Sequence, residues 1–383
     1  MDVIRTLSEA LNAVAVPVGE GAGDGIGHHR FVLPDPVEPP VVLDVLATPG
    51  ARPERVTVLL PGGGLNVRAN YCTARGRGLA RFLADHGRLV IGITPREDGL
   101  TGASTGPRCA TWGLAAHRRD VQRVLTAVLP VLGLPHELLG HSAGAVLALD
   151  TAARPGSTAD RVLVLDSTGP YDPATDPEWA ARAGVLADTL ANQLARGVWT
   201  TDPGLSALFD RATADPAGSS PFPRPGHPGT AFSNLGLLHY ALTHTGELPG
   251  PANWIYHRGH SSGTFTFGAT PGEDRFALDR TPIEVWARAV AALGSGLQPN
   301  ALLRDLAAVW AGRTEVYRID WAAISADVVW VNTELGRGDH DLGARLIRAG
   351  GARVDYQVVP GYGHGDVVWA PGAEREVWPL LLG

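Results

Sequence analysis

The chain has 383 residues, 44% of them hydrophobic, and a net charge of −7 in which all 32 basic residues are arginine. This length and composition bury a large core, which excludes a disordered chain and predicts one large domain with an insertion, or two domains. The acidic balance gives no footprint for a phosphate backbone, so no nucleic-acid partner is expected, and without lysine there is no Ser-Lys or Schiff-base mechanism.

The first segment, MDVIRTLSEALNAVAVP, carries Asp2 and Glu9 among its apolar residues. It reads as an amphipathic helix with Ile4, Leu7, Leu11 and Val14 on one face, not as a secretory leader. No run approaches the ~20 apolar residues of a membrane span, so none is expected. Cys72 and Cys109 lack metal-type spacing and read as free thiols, which fits a cytoplasmic location. RFVLP and VVLDVLA predict two strands joined by the proline-rich PDPVEPP. RVTVLLP predicts a buried strand, followed by GGGLN and a helix through LARFLADHG that Gly87 closes. RLVIGIT is the next strand, a helix spans roughly Leu114 to Leu132, HELLG runs into the helical AGAVLALDTAA, and RVLVLD is strand again. Strands alternating with helices predict an α/β fold with a mostly parallel, doubly wound sheet.

That rhythm stops after Asp166 and resumes near Ala326. Residues 167–325 are predicted to be mainly helical. Asp176-Pro177 opens one helix, Thr281-Pro282-Ile283-Glu284 reads as a capping box opening a second, and NALLRDLAAVWAG is a third. Beyond them DVVWVN, DLGARLIRAGG, RVDYQVVP and a terminal helix restore the alternation.

Three segments match G-x-S-x-G: GASTG at Ser104, GHSAG at Ser142 and GHSSG at Ser261. A nucleophilic serine needs a sharp turn between a strand and a helix, which exposes its hydroxyl and aims the helix N-terminus at developing negative charge. Only Ser142 has an apolar strand before it and a small-residue helix after it. Ser104 has no strand before it and Pro107 just after, and the β-branched TFTFGATPG after Ser261 cannot begin a helix. No Gly-rich segment has a nucleotide-binding pattern, so no cofactor is expected. Asp339-His340-Asp341 reads as helix capping rather than metal ligation, so no metal is expected, and His28-His29 reads as an exposed strand start.

With Ser142 after HELLG and LLPGGGLN after an earlier strand, residues 55–166 and 326–383 resemble the α/β-hydrolase superfamily. VVPGYGHGDVVW is similar to the histidine segment of acid lipases and related bacterial hydrolases. The resemblance implies an α/β-hydrolase fold with its core in residues 1–166 and 326–383 and a large lid at 167–325, inserted after the sixth strand. It implies Ser142 as nucleophile, His364 as base, and an oxyanion hole from the backbone of Ala143 with Gly63 or Gly64. It places the acid after the strand that follows the lid. There Glu334 is favoured, with Asp339 and Asp341 as alternatives, and Asp339 also sits where a helix N-cap is wanted; Asp166 is a further alternative, because some family members place the acid after the sixth strand. The implied activity is serine-dependent acyl transfer, chiefly ester hydrolysis. A thioesterase, acyltransferase or cyclase, and a non-catalytic binding protein, are the alternatives. Residues 167–325 hold 16 of the 25 aromatic residues, which predicts a largely apolar small-molecule ester or thioester as partner.

Overall fold

The β-branched runs that read as strands come together in one sheet. The computed structural model describes residues 3–18, 26–35, 38–50, 52–73, 78–101 and 105–383. Strands β1 (Val16–Pro17), β2 (Gly27–Leu33), β3 (Val41–Ala47), β4 (Arg55–Leu60), β5 (Arg88–Thr94), β6 (His136–His141) and β7 (Arg161–Leu165) alternate from β4 onward with helices. Those helices are α2 (Leu79–Asp85), α3 (Leu114–Leu132) and α4 (Ala143–Ala152), while α1 (Val3–Leu11) precedes the sheet.

The inserted segment carries α5 (Pro177–Ala195), β8 (Thr200–Thr201), α6 (Leu205–Ala214), β9 (Ser219–Pro223), β10 (Ala231–Ser233) and α7 (Asn234–Thr243). It continues with β11 (Gly263–Thr266), β12 (Arg275–Leu278), α8 (Ile283–Ala291), β13 (Gln298–Pro299) and α9 (Asn300–Trp310). After it come β14 (Asp327–Thr333), α10 (Leu342–Ala349), β15 (Val354–Val359) and the short α11 (Asp366–Trp369). The main sheet has the order β1-β2-β3-β5-β4-β6-β7-β14-β15. It is antiparallel from β1 to β5 and parallel from there to β15.

Alternate residues of the central strands feed two cores. Val58, Leu138, Val162 and Val164 pack with α1, α3 and α4 on one face, while Leu59, Leu139, Leu163 and Leu165 pack with α2 and α11 on the other. The inserted segment builds on both faces, α5 and α9 joining the first core and α8 the second. Its strands pair only among themselves, β8 with β13, β9 with β10 and β11 with β12, so the segment adds three ribbons to the helices expected of it. No helix among the described residues is long and apolar enough to cross a membrane.

Local expectations fail where a polar side chain finds a better partner. The capping box before α8 does not form: Pro282 is the N-cap, and the Thr281 hydroxyl donates to Asp366 Oδ1 at 2.6 Å. Asp341, not Asp339, stands at the N-cap of α10, and its carboxylate accepts from Arg345 Nε at 2.9 Å. His28 is not an exposed strand start, since its Nε2 lies 2.8 Å from Oδ1 of the buried Asp44. Cys72 and Cys109 are free thiols.

Candidate active site

Ser142 sits between β6 and α4 with φ 56° and ψ −119°, a conformation an L-residue holds only when its surroundings impose it. Two glycines make the surroundings possible. A Cβ on Gly144 would lie 2.0 Å from the Leu60 carbonyl oxygen, and one on Gly140 would lie 2.2 Å from the Gly144 carbonyl carbon, so helix and strand approach at a distance only glycine allows. The turn is pinned from β7, where Ser142 N–H donates to Leu165 O at 3.0 Å and Ser167 Oγ to Ser142 O at 2.9 Å.

His364 lies in the loop between β15 and α11, and its Nδ1 is 2.5 Å from Asp166 Oδ2. Asp166 is the first residue after β7, fully buried, with φ 41°. Its other oxygen, Oδ1, accepts from Thr333 N–H (2.7 Å), Thr333 Oγ1 (2.8 Å) and Arg337 N–H (3.2 Å). Gly336 leaves room for this arrangement, because a Cβ there would stand 2.2 Å from Asp166 Oδ2. The buried carboxylate is therefore oriented by three donors that leave one oxygen to the imidazole.

Glu334, the carboxylate that the chain order favours, does not reach His364. It is exposed, and its Oε2 accepts from Gly361 N–H at 2.8 Å. The physical reason is register: β14 runs through Thr333, so Glu334 follows its end and bonds Gly361 N–H, whereas Asp166 directly follows the neighbouring strand β7 and accepts from Thr333 N–H. Asp339 is also exposed, and Asp341 serves α10. His340, between them, is buried with its Nε2 2.8 Å from His257 Nε2. Among the described residues, no group of three or more His, Cys, Asp or Glu side chains could hold a metal ion.

The elbow, the glycine turn after β4 and the His364 loop are tied together by residues that no motif marks. Asn70 Oδ1 accepts from Gly62 N–H at 2.8 Å, and Asn70 Nδ2 lies 3.2 Å from His141 Nδ1. His141 Nε2 in turn lies 2.9 Å from the His364 carbonyl oxygen. Burial, then the neighbouring His364, pushes His141 down to about 3, so the imidazole is neutral, accepting from Asn70 and donating to His364 O. With Gly62 N–H engaged, neither Gly63 N–H nor Ala143 N–H has a hydrogen-bond partner among the described residues. The Cβ position of Gly63 is 3.7 Å from Ala143 Cβ. Gly64 faces away from the elbow, its Cβ position 2.9 Å from the Gly296 carbonyl oxygen of the inserted segment.

Ser261 has a different job. Its hydroxyl accepts from Trp286 Nε1 (2.8 Å) and donates to Asp366 Oδ1 (3.2 Å), while Asp366 Oδ2 accepts from the N–H groups of Ser262 (2.7 Å) and Gly363 (2.8 Å). His364 N–H donates to Gly259 O at 3.1 Å and Gly365 N–H to His260 O at 2.7 Å. GHSSG is thus the clasp that holds the His364 loop, with a strand rather than a helix after it. Ser104 lies outside the described residues.

Burial, reinforced by the Arg337 guanidinium, holds His364 well below the ordinary imidazole value of 6.5. Burial pushes the Asp166 carboxyl above 3.8, opposed by the donors of Thr333 and Arg337. Arg337 is itself buried, its guanidinium 4.3 Å from the Trp310 ring centre and 5.0 Å from that of Tyr256.

No family model and no curated protein matches the chain. Among solved structures it is similar to a candidate lipase from Sulfolobus solfataricus, at 15% identity over 96% of this chain and 97% of that one, with a TM-score of 0.62. A thermostable carboxyl esterase from Bacillus coagulans matches at 15% identity over 91% and 90%, with a TM-score of 0.48. A proline iminopeptidase from Mycobacterium smegmatis matches at 16% identity over 96% and 98%, with a TM-score of 0.46. At such identities the first likeness speaks for the fold.

Proposed function

Since this chain has the α/β-hydrolase fold, we propose that it is a serine hydrolase that cleaves small carboxylic esters through an acyl-enzyme, with Ser142 as nucleophile, His364 as base and Asp166 as acid. The observation that carries this reading is the Asp166–His364 contact of 2.5 Å at the same sheet edge as the strained Ser142 turn. Neutral His364 takes the Ser142 Oγ proton on Nε2 as Oγ bonds the substrate carbonyl carbon, and the carbonyl electron pair moves to oxygen. Asp166 keeps the proton on Nδ1 and stabilises the imidazolium. Ala143 N–H and Gly63 N–H, which have no hydrogen-bond partner among the described residues, would meet the oxyanion, each worth about 3 kcal/mol in the transition state. Collapse expels the leaving oxygen, which takes the proton from Nε2, and water repeats the cycle to release the acid.

Residues 167–325 serve as the lid. The test is incubation with a fluorophosphonate, followed by intact-mass and peptide analysis: one adduct on the peptide containing Ser142 is expected. An unmodified protein, or an adduct on Ser261, overturns the reading.

Only neutral His364 accepts the serine proton, so the acidic limb of kcat/KM follows its pKa in the free enzyme. With that pKa lowered, the neutral form persists as pH falls, and the limb is expected below pH 6.5. Arg337→Met removes a nearby cation, which raises the His364 pKa and moves the limb upward by roughly half a unit to one unit. An unmoved limb in a folded Arg337→Met protein would leave burial as the sole cause.

A further inference from the structure

Beside the Gly62-Gly63 turn and the first turn of α4 lies a cavity of about 30 Å³. Most of its wall is apolar, from Leu60, Ile93, Val121, Leu147 and Leu302, but Thr94, Glu97, His117 and Asp120 also line it, with both Asp120 oxygens already accepting from Arg96. Glu97 is 3% exposed. Its Oε2 lies 2.9 Å from His117 Nε2, while Oε1 has no hydrogen-bond partner among the described residues. The nearest arginine is engaged elsewhere: Arg96 donates through Nε and Nη2 to Asp120 at 2.8 and 2.5 Å, and Nη1 is 3.2 Å from Glu38.

The charge state of this pair follows from its bonding. His117 Nδ1, 2.9 Å from the Gly113 carbonyl oxygen, can only donate there. Nε2 faces a carboxylate, so it too carries a proton, and His117 is an imidazolium. Burial opposes that charge, yet Glu97, the Gly113 carbonyl and Asp120 together outweigh it and the His117 pKa is raised. The pair is neutral as a whole, and Glu97 Oε1 remains a strong buried acceptor, a kind of group that is costly to leave unmet. Its backbone is also fixed, because Ser295 Oγ donates to Glu97 O at 2.6 Å and Ser295 N–H to Asp98 O at 2.8 Å.

We propose that Glu97 is a specificity-determining residue: its Oε1 accepts a hydrogen bond from a hydroxyl or ammonium group on a short acyl chain attached to Ser142. This rests on the acyl-transfer reading above. The acyl group is the part of the substrate that Ser142 holds; Ala143 and Gly144 of the cavity wall follow that serine directly in the chain, and Leu147 lies about one turn further along α4. A cavity of this size takes about two or three non-hydrogen atoms, which limits the chain to a few carbons.

The test compares p-nitrophenyl esters of butanoate, 3-hydroxybutanoate and 3-aminobutanoate on the full-length protein, with fluorophosphonate labelling alongside. The hydroxy or the amino ester is expected to exceed butanoate in kcat/KM by about 10- to 100-fold, and which of them does so identifies the donor. In Glu97→Gln and Glu97→Leu that ratio falls toward one. The wild-type series stands even if a variant does not fold. A protein that labels but turns over all three esters equally, or none of them, overturns the inference alone, as does an unchanged preference in Glu97→Leu. Absence of both labelling and turnover overturns the acyl-transfer reading with it.

Discussion

Ser142→Ala is expected to abolish fluorophosphonate labelling and lower kcat/KM on any ester substrate by about 10⁵-fold or more, with the fold intact. Alanine keeps the Cβ that the turn already accommodates at φ 56°, so the backbone has no new reason to move. The hydroxyl is lost, and with it the oxygen proposed to bond the carbonyl carbon. Ser261→Ala is the control. It strips a partner from Trp286 Nε1 and from Asp366, which costs about 1–3 kcal/mol of stability, yet labelling persists. Labelling that survives in Ser142→Ala and disappears in Ser261→Ala would reverse the assignment of the nucleophile.

Asp166→Asn is expected to lower kcat by about 10⁴-fold, while Glu334→Gln changes it by no more than about threefold. The asparagine fits the same space but carries no charge to stabilise the imidazolium, and its amide can turn an N–H toward Nδ1 and invert the tautomer. Three donors converge on Oδ1 of Asp166. An asparagine that keeps its oxygen among them must therefore present the NH₂ to His364. Glu334 loses only a surface bond from Gly361 N–H. Measuring both variants on one ester with melting curves alongside decides the matter: loss of turnover in Glu334→Gln, with Asp166→Asn active, would return the acid to the strand after the insertion.

The contrast between these two carboxylates shows where sequence reading stops. Ser142 is legible because everything that makes it unusual is local: an apolar strand before it, small residues after it and glycines two positions away on each side. His364 is legible because it follows the last strand. Asp166 needs more, since its place beside His364 depends on β7 lying beside β14 with Leu165 opposite Val331, a register no neighbouring residue encodes. One residue of strand length separates the readings, because β14 extends through Thr333 and Glu334 then lies exposed beyond its end. The choice between Gly63 and Gly64 was open for the same reason. It is narrowed only by Asn70, which occupies Gly62 N–H, and by Gly296 of the insertion, which presses on Gly64. The helices of the insertion announce themselves by caps and apolar spacing, but β9 to β12 are three to five residues long and too short to signal through alternation.

The Asp166–His364 contact joins residues 198 positions apart, and the clasp around His364 draws on residues 259–263. Synthesis proceeds from the N-terminus, so Ser142 and Asp166 emerge long before His364, and the strands that place them are made while the last loop is still untranslated. A growing chain therefore carries the Asp166 carboxylate without the imidazole it meets in the finished fold. On the proposed reading, the newly made protein would gain its reactivity late, once the residues after β15 close that long loop and settle against GHSSG.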